Sequence, residues 1–403
     1  MSDWFIHDVK VMDPGTGIVG NTLRVRDGRI AEIGADANSG PAGEERIDGG
    51  GRLLTPGMID MHVHGIGNSR FDVPDQVADG STMFGRFGAT TLITTLVPKP
   101  GPDLTSLLEQ LATQAARAQG ADMSMLHLEG PFLALPGAGC ATVPGDLGFL
   151  DEMIAACQGQ LKIMSIAPDV PGIVPVIERL RDNDIVPFIT HTRASVDETC
   201  IANDAGARHA THFYDVFPVP DQTDPGVRPV GAVETILADP RCTVDFVCDG
   251  VHVHPMAIKC ALAAKGYEGV ILITDSNVGA GLPPGVHSTP WGYDVKVAPG
   301  CGARVHDPNH PLHGGLAGSA LTMNEGMTNL MQWLDLPLDQ IWAMGTANPA
   351  RILNLPNKGV IRPGADADLV LWDQAQGTLT ANRTWLAGRC IHEAETPTPA
   401  GKA

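Results

Sequence analysis

Gly57-Met58-Ile59-Asp60-Met61-His62-Val63-His64-Gly65 is an apolar strand that runs into two histidines one residue apart and then a glycine turn. Alternate residues of a strand share a face. His62 and His64 therefore point the same way from the strand's C-terminal end, where a parallel barrel places its chemistry. Two imidazoles so placed are either a pair of metal ligands or hydrogen-bonded residues that close a strand. The remainder of the chain has to decide between these.

Outward from this stretch the sequence offers eight short apolar runs, most followed by a helix-like segment: 58–64, 89–97, 123–129, 162–167, 185–191, 208–214, 243–248 and 270–275. Eight βα repeats are the number that closes a (β/α)8 barrel. Segments 103–119, 170–183 and 324–334 carry apolar residues three and four apart and read as helices between or after these strands. Residues 4–56 alternate apolar and polar around an Asp27-Gly28 turn, and a second β-like region closes the chain from Gly359 onward. The predicted fold is thus α/β: a TIM-like barrel over 57–357, with a small β-sandwich domain assembled from both termini, 1–56 and 358–403. Leu282 to Gly315, rich in Gly, Pro and His, reads as a long loop or hairpin over the barrel mouth, placed to act as a mobile lid.

Composition narrows the function. A chain of 403 residues accommodates a barrel of about 250 residues plus an added module. With 43% hydrophobic and 18% charged residues it reads as a globular enzyme, and no apolar run approaches the ~20 residues of a membrane span. The N-terminus lacks a basic segment followed by an apolar one, so a cytoplasmic location is expected. Eight cysteines without a CxxC pair suit reduced, mostly buried thiols. A net charge of −19 argues against binding nucleic acid.

The metal-type side chains fall at predicted strand ends. Strand one ends in His62 and His64, strand three in His127-Leu128-Glu129, strand five in His191, strand six in His212, strand seven in Asp249-Gly250-Val251-His252 and strand eight in Asp275. Scattered structural histidines would not select strand ends. Imidazoles mixed with carboxylates suit Zn²⁺ or Fe²⁺ better than Mg²⁺ or Ca²⁺, which prefer oxygen shells. The plainer roles differ by residue. Glu129 would otherwise be a helix N-terminal carboxylate and Asp275 an N-cap, whereas His127, His209 and His254 read as structural and Met323 and Met327 as core. Cys301, His306, His310 and His313 match no zinc spacing.

These motifs resemble those of the amidohydrolase superfamily, with its P-G-x-I-D-x-H-x-H opening and G-x-I-x-P-G-x-D-A-D-L-V closing strand. Within it they resemble the N-acetylglucosamine-6-phosphate deacetylases, through His127-Leu128-Glu129-Gly130-Pro131-Phe132, Ala210-Thr211-His212, Asp249-Gly250-Val251-His252, Thr274-Asp275 and Leu316-Ala317-Gly318-Ser319 in the same order. The resemblance implies a main divalent metal, zinc or iron, on Glu129, His191 and His212. It leaves room for a second ion on His62 and His64 with Glu129 bridging. Asp275 would then shuttle the proton, His252 would hydrogen-bond the carbonyl oxygen of the scissile amide, and backbone groups of Leu316, Ala317 and Gly318 would line the sugar pocket. The implied reaction is deacetylation of an N-acetylated amino sugar, N-acetylglucosamine 6-phosphate first among them, by a homodimer.

The chain departs from that family where the family binds phosphate. Its Asn after the strand-six histidine is Asp215 here, and its Arg before Glu-Pro-Gly is Thr223. Arg228 and Arg193 are the candidates to restore the charge, and Gly139-Cys140-Ala141 stands where the family has a sugar-contacting His. Two alternatives therefore stay open: hydrolysis of an unphosphorylated N-acyl sugar or another linear or cyclic amide, and an inactive scaffold of the same fold. Intact candidate ligands speak against the scaffold.

Overall fold

The computed structural model describes residues 3–34, 43–137, 139–289 and 292–395. An eight-stranded parallel sheet forms from Met58–Val63, Ala89–Leu96, Asp122–Glu129, Leu161–Ile166, Val186–Ile189, His209–Ala210, Thr243–Val247 and Val270–Ile273, each hydrogen-bonded to its neighbour in sequence order. These are the eight runs anticipated from sequence. The first two strands are buried at every position, as a parallel sheet covered on both faces requires. The expected helices lie at Leu104–Ala115, Ile173–Asp182 and Met323–Trp333.

Strands five, six and eight end earlier than the apolar runs suggest, for one reason. His191 (φ 49°), His212 (φ 34°) and Asp275 (φ 49°) each adopt the left-handed conformation. That conformation cannot continue a ladder and costs a residue with a Cβ of order 1–3 kcal/mol. Each side chain thereby leaves its strand just beyond the last ladder bond and turns over the barrel mouth.

The seam between the first and eighth strands closes in two ways. Lower down, Ile59 N donates to Gly345 O and Leu272 N to Met344 O, both at 2.9 Å, so the Met344–Gly345 segment fills the gap. At the top the strands meet directly, Asp275 N on His62 O at 2.9 Å and His64 N on Ser276 O at 2.8 Å. The barrel is thus closed by the backbone of the same residues that carry the candidate site.

The termini build a seven-stranded sheet in which Glu45–Pro56 is flanked by Trp4–Asp13, in parallel, and by Leu369–Ala375, antiparallel with Leu371 opposite Leu54. This single hydrogen-bonded sheet folds over on itself. Trp4 and Trp385 stack with ring centroids 4.9 Å apart, and Trp4 Nε1 donates to Gly388 O, around a core that includes Ile6, Val25, Leu54 and Leu371. The segment expected as a loop or hairpin is a small antiparallel sheet of Gly285–Ser288, Asp294–Ala298 and Gly302–His306. Its last strand bonds to the chain beyond it through Ala317 N on Ala303 O. Among the described residues, no helix is long and apolar enough to cross a membrane.

Candidate metal centre

Glu129 ends the third barrel strand with its side chain only 8% exposed, and each of its carboxylate oxygens faces a pair of imidazoles. Oε1 lies 3.0 Å from His212 Nε2 and 3.4 Å from His191 Nε2. Oε2 lies 3.3 Å from His64 Nε2 and 3.7 Å from His62 Nε2. The Nε2 atoms of His62 and His64 are 3.1 Å apart, and Asp275 Oδ1 is 3.4 Å from His64 and 3.7 Å from His62. The six side chains picked from strand ends therefore converge on one point.

The surroundings set how these rings are presented. His191 Nδ1 lies 2.9 Å from Leu135 O. A carbonyl only accepts, so Nδ1 carries a proton and Nε2 is the nitrogen turned to the centre. His62 Nδ1 bonds Thr211 Oγ1 at 3.1 Å. The His212 backbone N–H donates to Asp245 Oδ1, whose Oδ2 pairs with His209 Nε2 at 2.9 Å. Asp60, fully buried two residues before His62, accepts from Thr274 Oγ1 at 2.5 Å and from the His62 N–H. Burial pushes the Asp60 carboxyl up to about 7 against those bonds. His127 is fully buried between Ser165 Oγ and Met61 O, and burial with the nearby histidine charge holds it well below its ordinary value, hence neutral.

The electrostatics ask for a cation. Burial alone would raise Glu129, but the charge of His62 and hydrogen bonds from His191 and His212 outweigh it and hold the carboxyl well below its usual range. Burial likewise opposes the charge on His212, yet the Glu129 carboxylate, with Asp275 and Asp215 behind it, pushes that imidazole up to about 10. His64 is raised for the same reason. Left to themselves, the two carboxylates draw protons onto the rings. A divalent ion would satisfy them while using the ring lone pairs. The donor set, imidazole nitrogens around a shared carboxylate, is that of zinc or iron, and His62, His64 and Glu129 place ligand atoms within 4.8 Å of one another.

At the rim, His252 Nδ1 binds Asp249 Oδ2 at 2.7 Å, while Asp249 Oδ1 accepts from the Val251 and His252 N–H groups. Burial works against a proton on His252, but Asp249 outweighs it and raises the ring. Ser319 N donates to Asp275 O at 3.0 Å, which ties the Leu316–Gly318 stretch beside Asp275. Asp215 N donates to His212 O, and its charge acts on both His212 and His252. Arg228 is elsewhere: its side chain is 77% exposed and paired with Glu234 at 3.1 Å, with no bond to the cluster. The Arg193 side chain forms no ion pair among the described residues; its backbone N–H donates to Asp169.

Sequence reasoning missed several contributors. Asp60 was visible inside the opening motif without a role of its own. Gly137 had no signal: a Cβ there would sit 2.2 Å from His191 Cε1, so only glycine lets the loop pass over that ring. Cys140, expected to be bland, lies with Glu129 and His191 in a second group of ligand atoms within 4.8 Å of one another.

A closed βα barrel with buried imidazoles and a shared carboxylate at its mouth is the architecture of a metal-assisted hydrolase. Residues 108–393 match the amidohydrolase family, and the chain belongs to it: an enzyme that hydrolyses an amide, in a family that implies a divalent metal. It is 30% identical over 377 residues to the N-acetylglucosamine-6-phosphate deacetylase of Bacillus subtilis (strain 168), covering 91% of this chain and 92% of that one. It is 29% identical over 377 residues to the N-acetylgalactosamine-6-phosphate deacetylase of Escherichia coli O157:H7, covering 91% and 93%. The fold superposes on a mutant N-acetyl-D-glucosamine-6-phosphate deacetylase of Mycobacterium smegmatis, in complex with N-acetyl-D-glucosamine-6-phosphate. That match has a TM-score of 0.83 at 28% identity and covers 97% of this chain and 100% of the other.

Proposed function

We propose that this enzyme removes the acetyl group from an N-acetylated amino sugar, with N-acetylglucosamine 6-phosphate as the reference substrate, releasing acetate and the free amine. Glu129, His191 and His212 would hold the main ion, zinc or iron. His62 and His64, with Glu129 shared, would hold a second. When bound, the ion supplies what no side chain here can, a water whose pKa falls from ~15.7 toward ~7.

The chain's own groups do the rest. Asp275, 13% exposed and beside the His62–His64 pair, takes the proton of the attacking water and delivers it to the amine nitrogen, which would otherwise be a very poor leaving group. His252, held by Asp249 through Nδ1, donates from its other nitrogen to the carbonyl oxygen as negative charge develops there. Backbone groups of Leu316, Ala317 and Gly318 line the sugar. The observation that supports this reading above others is the Glu129 carboxylate with each oxygen turned to a histidine pair and Asp275 alongside. We place the enzyme in the cytoplasm, in keeping with eight unpaired cysteines, and expect a homodimer. Acetate release from metal-loaded and chelated protein, across phosphorylated and unphosphorylated N-acetyl hexosamines, tests the proposal.

One observation favours a second reading in which the reaction is kept but the phosphate is not required. The Asp215 carboxylate acts on the same rings that would face the substrate, while Arg228 is occupied by Glu234. Losing a charge-assisted hydrogen bond costs ~1.5–3 kcal/mol, or about one to two decades in binding. Comparison of kcat/KM for each sugar with and without its 6-phosphate, in the parent and in Arg228→Ala and Arg193→Ala, separates the two.

A further inference from the structure

We propose that Cys140 is an additional protein donor, as its thiolate, to the ion at Glu129, His191 and His212; this rests on the metal reading given above. The first support is position. Cys140 Sγ, a Glu129 carboxylate oxygen and a His191 ring nitrogen lie within 4.8 Å of one another. Cys140 is 8% exposed, and its thiol has no hydrogen-bond partner among the described residues.

The second support is the way the chain delivers the residue. After strand three the loop runs back across His191. Ala134 N and Leu135 N donate to His191 O at 3.2 and 3.0 Å, and His191 Nδ1 returns a bond to Leu135 O. Gly137 then passes against the ring itself. Gly139 N and Cys140 N both donate to Pro136 O, at 2.8 and 2.7 Å, and this tight turn fixes Cys140 at the end of a loop already bonded to a candidate ligand. The same contacts that orient His191 therefore also set the place of the sulfur.

The third support is donor chemistry. Thiolate and imidazole together suit zinc or iron and exclude magnesium and calcium. Three protein donors plus solvent make the usual catalytic zinc arrangement, and a fourth protein donor fills a tetrahedral ion. With Cys140 bound, the ion at Glu129, His191 and His212 would have four protein donors in place of three.

X-ray absorption of the zinc-loaded full-length protein is expected to show a sulfur neighbour at ~2.3 Å beside nitrogen and oxygen at ~2.0–2.1 Å. Cobalt-loaded protein is expected to show a near-ultraviolet thiolate-to-cobalt charge-transfer band. Cys140→Ser and Cys140→Ala should lose that band, keep the visible cobalt bands, and hold metal at least about 10-fold more weakly, the least that even outer partners of ligands contribute. A loaded protein with only nitrogen and oxygen neighbours, or a charge-transfer band that survives in Cys140→Ala, would overturn the assignment. Protein that takes up no metal would overturn it too, but by removing the metal reading beneath it. Protein that binds metal through nitrogen and oxygen alone removes Cys140 and leaves that reading standing.

Discussion

Asp275→Asn isolates proton transfer from metal binding. The side chain keeps its shape, so its backbone bonds to His62 and Ser319 are retained. Asn is among the residues best tolerated at φ 49°, so the left-handed backbone gains no strain. Asp275 Oδ1 stands 3.4 and 3.7 Å from His64 and His62 but makes no ion pair with His191 or His212, so the main site should keep its ion. What disappears is a proton acceptor. Removal of a positioned general base costs ~10²–10⁴-fold, about 2.7–5.5 kcal/mol at ~1.36 kcal/mol per decade. The expected result is a fall in kcat of ~10² or more, with main-site metal content and melting temperature close to those of the parent. Acetate release and elemental analysis on one preparation provide both readings. A metal-loaded Asp275→Asn protein with near-parent turnover would remove Asp275 from the mechanism.

The remaining expectations are these. His191→Ala or His212→Ala should lose the main ion, whereas the His62→Ala/His64→Ala double variant should lose at most one equivalent; a double variant wholly free of metal would move the main site to the HxH pair. Gly137→Ala should displace His191, because its Cβ would sit 2.2 Å from that ring at φ 47°, and metal occupancy should fall toward that of His191→Ala while far-ultraviolet circular dichroism is unchanged; full occupancy would show that the loop can yield. Lys358, buried between Asp368 at 2.7 Å and Asp122 at 3.5 Å, links the sheet domain to the third barrel strand: burial works to lower its pKa, but the two carboxylates outweigh this and raise it. A raised lysine contributes fully below its unfolded pKa of ~10.4 and loses that contribution as pH rises through the folded value. Lys358→Met strands Asp368, whose side chain is 4% exposed, and should cost about 3 kcal/mol at neutral pH; denaturant titrations should find the gap to the parent narrowing above pH ~10.4, and an equal gap at every pH would contradict the pairing.

Much of this was legible in the sequence because barrel strands are local signals: each is a short apolar run, the residues at its end are candidates by position, and the resemblance to the amidohydrolases selected the ligands among them. His62, His64, Glu129, His191, His212 and Asp275 could be chosen without knowing which strand neighbours which. The missed contributors all depend on what passes nearby in space. Gly137 and Leu135 matter only because their loop folds over His191, and Cys140 becomes a candidate ligand only at the end of that turn. Arg228 illustrates the converse, since a cation at a promising sequence position takes the nearer carboxylate of Glu234 instead. The early ends of strands five, six and eight were hidden as well: the apolar runs lead straight into His191, His212 and Asp275, and nothing in the residue types marks the positive φ that breaks each ladder there.

The central claim, a metal-dependent deacetylase centred on Glu129, is tested most directly by metal content and acetate release measured together. One preparation would be followed as isolated, after chelation and after return of Zn²⁺ or Fe²⁺, with the 6-phosphates of N-acetylglucosamine and N-acetylgalactosamine and the free sugars as substrates. Acetate release from at least one of them should vanish with the metal, return with it, and stay absent in Glu129→Gln under every condition. Undiminished hydrolysis by metal-free protein, or a fully loaded parent that frees acetate from none of these sugars, would contradict the claim.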